Sequence, residues 1–106
     1  MAVNKSIYKY IIENTISFTA PAGLKPLQVG IQNNIIYLWA VVTDLTENPK
    51  MSTYLIKEFT TGQTFNEFDI LDFTFVGTAC REIKNNLLLN YYVTHYFIKE
   101  VDFSKS

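Results

Sequence analysis

Between Leu27 and Val42 the chain reads LQVGIQNNIIYLWAVV, two alternating apolar runs on either side of Asn33-Asn34. Asn tolerates positive φ better than other non-glycine residues, so an Asn pair between β-branched runs predicts a hairpin with a two-residue loop. The register follows from that loop: Gln32 faces Ile35, Ile31 faces Ile36, Gly30 faces Tyr37, Val29 faces Leu38, Gln28 faces Trp39 and Leu27 faces Ala40. Cross-strand partners share a face and successive side chains alternate, so Leu27, Val29, Ile31, Ile36, Leu38 and Ala40 form one wholly apolar face, the predicted core. The opposite face sets Gln28, Gly30 and Gln32 against Ile35, Tyr37 and Trp39. Two readings of it stand: a second sheet or a loop covers it, or it is a recognition platform. Tyr and Trp beside amides suit a subunit interface or the stacking of a flat ligand.

The remaining pattern is also that of strands. Ser6 to Ala20 reads as a first hairpin turning near Glu13-Asn14, with Ile16, Phe18 and Ala20 alternating against Thr15, Ser17 and Thr19. Pro21-Ala22-Gly23 marks a turn. Thr43 to Met51 is polar and contains Pro49, an exposed connection, and Ser52 to Phe59 alternates again. Thr64-Phe65-Asn66-Glu67 matches a capping box, and Phe65, Phe68 and Leu71 follow at helical spacing, which predicts one helical turn tucked against the sheet. Phe73 to Ile83 and Leu87 to Val101 flank a second pair, Asn85-Asn86. A strict two-residue loop there sets Phe75 opposite Tyr96 and Cys80 opposite Tyr91, with a bulge expected near Gly77 or Asn90 because neither face stays apolar. The sum is a single all-β domain over residues 1–106: an antiparallel β-sandwich or partly closed barrel of about seven strands with one short helical turn.

Length and composition sharpen this. A chain of 106 residues with 48 % apolar and 15 % aromatic residues is long and apolar enough to bury a core of its own. Its apolar runs are far too short to span a bilayer, and Asn4, Lys5, Tyr8 and Lys9 interrupt any signal-peptide pattern, so a cytoplasmic protein is expected with no membrane partner. The single cysteine, Cys80, excludes an internal disulfide and a cysteine-based zinc site within one chain. A net charge of -1, with lysines scattered among the acids, argues against duplex nucleic acid. A small anion needs only one or two basic groups and some backbone N–H donors.

Candidate chemistry is sparse. One His, one Cys and none of the P-loop, GxGxxG, GxSxG or HExxH motifs predict no cofactor, no metal and no enzyme. His95, within YYVTHYFI, reads as a hydrogen-bonded core or interface residue or as a general base. Glu67, Asp69 and Asp72 read as helix caps or, less well, as a metal cluster. For a nucleotide-like ligand, Tyr37 or Trp39 offers a face for the base and Gln28 and Gln32 offer amides. Arg81 with Thr61-Gly62-Gln63 offers a fork and a backbone nest for phosphate. The plainer readings are a strand-end charge for Arg81 and an ordinary turn for Thr61 to Gln63. Strands apolar on both faces, Ile35 to Val42 and Tyr91 to Ile98, predict that the chain pairs with itself, as a homo-oligomer, or with a partner.

Ile7 to Tyr10 (IYKY), the hairpin from Val29 to Val42, Thr61-Gly62-Gln63, Val76-Gly77-Thr78 and the aromatic-flanked His95 occur in an order that resembles a family of short bacteriophage- and prophage-encoded proteins. Here Thr94 precedes the His where the similar proteins usually carry Trp. The resemblance implies a small phage accessory protein in the cytoplasm of a bacterial host, a class that includes inhibitors of anti-phage defence. Some inhibitors of that class are oligomeric sponges that hold nucleotide-derived immune signals, cyclic nucleotides or ADP-ribose derivatives, without chemistry. The expectation is such a sponge; the alternative is a protein-binding module, either a virion component or a direct inhibitor of a host protein.

Overall fold

The hairpin at the centre of the sequence is also central to one of the two sheets. In the computed structural model, which describes residues 4–43, 50–85 and 88–101, Asn33 and Asn34 both take positive φ, 52° and 65°, and join β3 (Lys25–Gln32) to β4 (Ile35–Thr43). The register from Gln32↔Ile35 to Gln28↔Trp39 is the one that loop dictates. It then slips. Proline has no N–H for the ladder, and the strand bulges there so that Pro26, not Leu27, stands opposite Ala40. Leu27 is thereby left exposed, and Ile31, beside the hairpin tip, is partly so. The expected core face is therefore narrower, with Val29, Ile36, Leu38 and Ala40 buried.

β1 (Lys5–Ile11) does not pair with β2 (Ser17–Pro21), as a first hairpin would require. It lies antiparallel on the other edge of β4, giving a sheet of order β1-β4-β3. β2 lies antiparallel on β5 (Met51–Thr60) in the second sheet, of order β2-β5-β7-β6, with β6 at Thr74–Asn85 and β7 at Leu88–Val101. Asn14, at φ 53°, turns the chain from one sheet to the other. β4 offers β1 seven paired positions, Lys5↔Thr43 to Ile11↔Tyr37, whereas β2 is only five residues long. The longer ladder satisfies more backbone groups. Among the described residues no strand of one sheet pairs with a strand of the other, so the domain is a sandwich rather than a closed barrel.

The core lies between the sheets. Ile12, Val29, Ile36, Leu38 and Ala40 from the first meet Ala20, Tyr54, Ala79, Tyr96 and Ile98 from the second. Each large side chain so buried contributes about 1.5–3 kcal/mol relative to exposure. Tyr10, Phe18 and Tyr54 stack in series at 4.8 and 5.2 Å. On the other flank β3 and β6 touch at Gly77, where a Cβ would lie 2.8 Å from that of Val29 and where φ is +153°. β6 bulges between Phe75 and Gly77, as expected from the sequence.

Beyond the bulge, the last hairpin is shifted from a strict Asn85-Asn86 loop. Thr78 faces His95 and Cys80 faces Val93, and the pairing runs to Asn85↔Leu88. A shift of two residues leaves the same side chains on each face, so the alternation survives the slip. The tip residues 86 and 87 lie outside the described residues, as do 44–49 of the polar connection after β4. β5 pairs with β7 only as far as Thr60↔Thr94, so from Cys80↔Val93 onward β6 and β7 leave the sandwich as a two-stranded ribbon. The helical turn is a 3-10 helix, Glu67–Ile70, capped by Asn66 and Asp69 rather than by Thr64. Phe68 and Leu71 are exposed on it, not tucked against the sheet.

Candidate functional site

The β5–β7 ladder holds a short repeat that pairs with itself. Tyr54-Leu55-Ile56-Lys57-Glu58 runs antiparallel to Tyr96-Phe97-Ile98-Lys99-Glu100, centred on Ile56↔Ile98. The local two-fold sets Tyr54 opposite Glu100 and Glu58 opposite Tyr96. On the outward face it brings both lysines to one ring, with Nζ of Lys57 and Lys99 5.7 and 5.9 Å from the centre of Phe73. On the inward face it places one tyrosine and one glutamate towards each end of the sandwich.

The two ends are used differently. At the first, the Tyr54 hydroxyl donates to the carbonyl of Pro21 at 2.7 Å and accepts from the N–H of Leu24 at 3.1 Å, while Glu100 accepts from the N–H of Gly23 at 3.2 Å. The β2–β3 turn is thus bound by the pair, beside a cavity of about 430 Å³. At the second end, no backbone group among the described residues is bonded to the Tyr96 hydroxyl. Instead a cavity of about 450 Å³ opens between the sheets, with Tyr96, Glu58, Glu13, Arg81, Gln63 and Tyr92 in its wall.

Local geometry builds that wall. Arg81 and Tyr92 are cross-strand partners where the ribbon leaves the sandwich. The guanidinium of Arg81 is ion-paired with Glu13 and donates to the carbonyl of Asn34 at 2.9 Å, tying the ribbon to the β1–β2 link and to the β3–β4 tip. Its Nε is buried with no partner among the described residues. Gln63, after β5, donates its backbone N–H to the carbonyl of Thr60 and accepts the Thr60 N–H on its side chain, so the loop holds itself at the mouth. Tyr96 is 1 % exposed. Burial first, then the Glu58 carboxylate, pushes its hydroxyl well above the ordinary 10.0. Burial also raises Tyr54 and Tyr10.

The residues singled out from sequence fall in three places. Gln28, Gln32, Tyr37 and Trp39 share the outward face of the first sheet, which no element among the described residues covers. Trp39 lies over Gly30, where a Cβ would come 3.1 Å from its ring, and the rings of Tyr37 and Trp39 are 5.9 Å apart. Lys9 sits 4.6 Å from the centre of the Tyr37 ring and donates to Gln32 at 2.8 Å. Thr61, Gly62 and His95 lie on the outward face of the second sheet. There Thr61 and Thr78 bond the two ring nitrogens of His95 at 2.7 and 2.9 Å, beside a groove of about 300 Å³ floored by Phe59, Phe65 and Phe97. Arg81 and Gln63 alone reach the cavity between the sheets, and Gln63 borders the groove as well.

Trp39 and Arg81 therefore do not line one cavity, because Tyr37 and Trp39 lie on the face opposite to Ile36, which lines the cavity with Arg81. Glu13, Glu58, Tyr92 and Tyr96 were missed by motif reasoning. The repeat YLIKE and YFIKE is the sequence signal that finds two of them. Among the described residues no group of three His, Cys, Asp or Glu side chains is placed to hold a metal. No helix among them is long and apolar enough to cross a membrane.

Fold and site together define a two-sheet antiparallel sandwich with a cavity towards each end, the one at Tyr96 and Glu58 lacking the bound turn of the other. The chain belongs to the family described as Domain of unknown function (DUF7352), whose model matches residues 3–101. No curated protein matches the chain, and no solved structure does.

Proposed function

We propose that this chain is a non-catalytic binding protein that takes up a small nucleotide-derived ligand in the cavity at Tyr96 and Glu58. The observation that supports it most is the cavity itself. Its volume of about 450 Å³ is in the range of ligand pockets, and its wall mixes an aromatic face, amides, hydroxyls and charged groups. In this reading Tyr92 gives the base a stacking surface, Gln63 and Asn14 face the sugar, and the phosphates lie at the mouth. Glu13 already neutralises Arg81, so phosphate is not drawn to the interior. In this proposal, which the resemblance to phage-encoded proteins suggests, such a binder is a sponge in the cytoplasm of an infected bacterium, holding a cyclic nucleotide or an ADP-ribose derivative out of reach of the host's defence. Isothermal titration with these compounds tests it: saturable binding weakened by Gln63→Ala is expected, and no heat from any of them removes the reading.

The uncovered face of the first sheet favours a second activity, self-association. Ile7 and Ile11, 63 % and 50 % exposed, flank Tyr37 and Trp39 there. Apolar sheet faces of this kind pair with a copy or a partner. Light scattering on Trp39→Ala is expected to show a smaller species that still binds ligand. Loss of ligand binding in a folded Trp39→Ala protein would return the ligand to the Trp39 platform. If the protein instead travels with virions, or with a host protein, the protein-binding alternative holds.

A further inference from the structure

The filled end of the sandwich shows what the tyrosine–glutamate pair recognises. There, one hydroxyl and one carboxylate hold one carbonyl and two N–H groups of the β2–β3 turn: the carbonyl of Pro21 and the N–H groups of Gly23 and Leu24. The local two-fold through Ile56 and Ile98 carries the same hydroxyl and carboxylate to the other end, where they line a cavity and, among the described residues, no turn is bonded to the hydroxyl. A ligand that fills it must bring its own carbonyl and its own pair of donors on one rigid edge.

From this match we propose that the pair Tyr96 and Glu58 reads the edge of a guanine base. This rests on the nucleotide-binding reading above and names its base. Guanine presents O6 as an acceptor with N1–H and the N2 amino group beside it, one acceptor followed by two donors. Tyr96 donates to O6, and the Glu58 carboxylate accepts from N1–H and N2–H in a paired, charge-assisted contact. The other bases fail on chemistry. Adenine has no carbonyl. Uracil and cytosine set a second acceptor where Glu58 stands, and two acceptors face to face lose the bond and the solvation of both. A site built around a buried donor such as the Tyr96 hydroxyl rejects ligands that leave it unpaired far more strongly than an apolar slot rejects a change of size.

The surroundings agree. Tyr92, 51 % exposed at the ribbon's root, offers its ring to the base. Glu13 holds Arg81 against the carbonyl of Asn34, so the wall is set before any ligand arrives and carries two carboxylates to one guanidinium. That balance favours the neutral, donor-rich edge of a base in the interior and keeps phosphates outside.

The test is isothermal titration of the full chain with 5′-GMP, 5′-IMP and 5′-AMP, and with a blocked Pro-Ala-Gly-Leu peptide that copies the β2–β3 turn. GMP is expected to bind at least about ten-fold more tightly than IMP, which lacks the N2 amino group, and than AMP. Glu58→Gln, at an exposed position that leaves the fold intact, is expected to cost GMP about ten-fold or more and to leave AMP unchanged. Tyr54→Phe, at the filled end, should not alter GMP affinity. Equal binding of GMP and AMP, indifferent to Glu58→Gln, overturns the guanine assignment and leaves a nucleotide cavity standing. Binding of the peptide but of no nucleotide, or binding of none of the four, overturns both.

Discussion

Tyr54 and Glu100 are cross-strand partners on β5 and β7, and both side chains hold the backbone of the β2–β3 turn: the hydroxyl bridges Pro21 and Leu24, and the carboxylate takes the N–H of Gly23. The inner strands of one sheet thereby fix the chain's passage into the other sheet. Tyr54→Phe keeps the ring stack with Phe18 but leaves the Pro21 carbonyl and the Leu24 N–H without their partner. Destabilisation of about 1–3 kcal/mol is expected by urea denaturation. An unchanged midpoint would mean that the turn holds without the hydroxyl.

Gly77 is required by contact as well as by conformation. Its Cβ position lies 2.8 Å from the Cβ of Val29 at φ +153°. Gly77→Ala therefore strains the β3–β6 seam and is expected to cost about 1–3 kcal/mol from overpacking alone. Adding Val29→Ala frees the space, so the two losses should sum to less than their separate values in a double-mutant cycle. Strict additivity would show that the backbone angle, not the contact with Val29, carries the cost.

Alkali should unfold the protein from a defined starting point. The hydroxyls of the buried Tyr96 and Tyr54 and of the partly buried Tyr10 are all raised above the ordinary 10.0 in the folded chain by desolvation. The folded state then holds protons that the unfolded state releases, so their contribution is complete below pH 10 and is lost as pH rises from there through the folded values. The slope is up to about 1.4 kcal/mol per pH unit for each such group. Melting temperatures at pH 9 and 11 should differ clearly in the wild type and by less in Tyr96→Phe. Equal falls in the two proteins would remove Tyr96 from this account.

The fold was legible where one local rule acted alone. Asn33-Asn34 fixed the central hairpin to within one bulge because the turn and the alternation agreed. It was not legible where strands choose partners across long separations: nothing within Ser6 to Ala20 reveals that β1 prefers the far edge of β4 to its neighbour β2. Pro26 was the visible reason for the slip at Leu27, since a residue without an N–H interrupts a ladder. The site was harder. Arg81 and Gln63 were drawn out as charge and loop chemistry, but Glu13, Glu58 and Tyr96 reach the cavity only through pairing between distant segments. Trp39, the most conspicuous aromatic in the sequence, lies on a face that the cavity does not share. The repeat YLIKE and YFIKE was present in the sequence all along. Its meaning depends on the antiparallel register that sets each tyrosine against the other strand's glutamate.

Native mass spectrometry of the purified protein, alone and mixed with cyclic dinucleotides and ADP-ribose derivatives, tests the binding role most directly. An oligomer is expected that gains one ligand per chain and loses the adduct on Glu58→Gln. A plain monomer that takes up none of these compounds would contradict it.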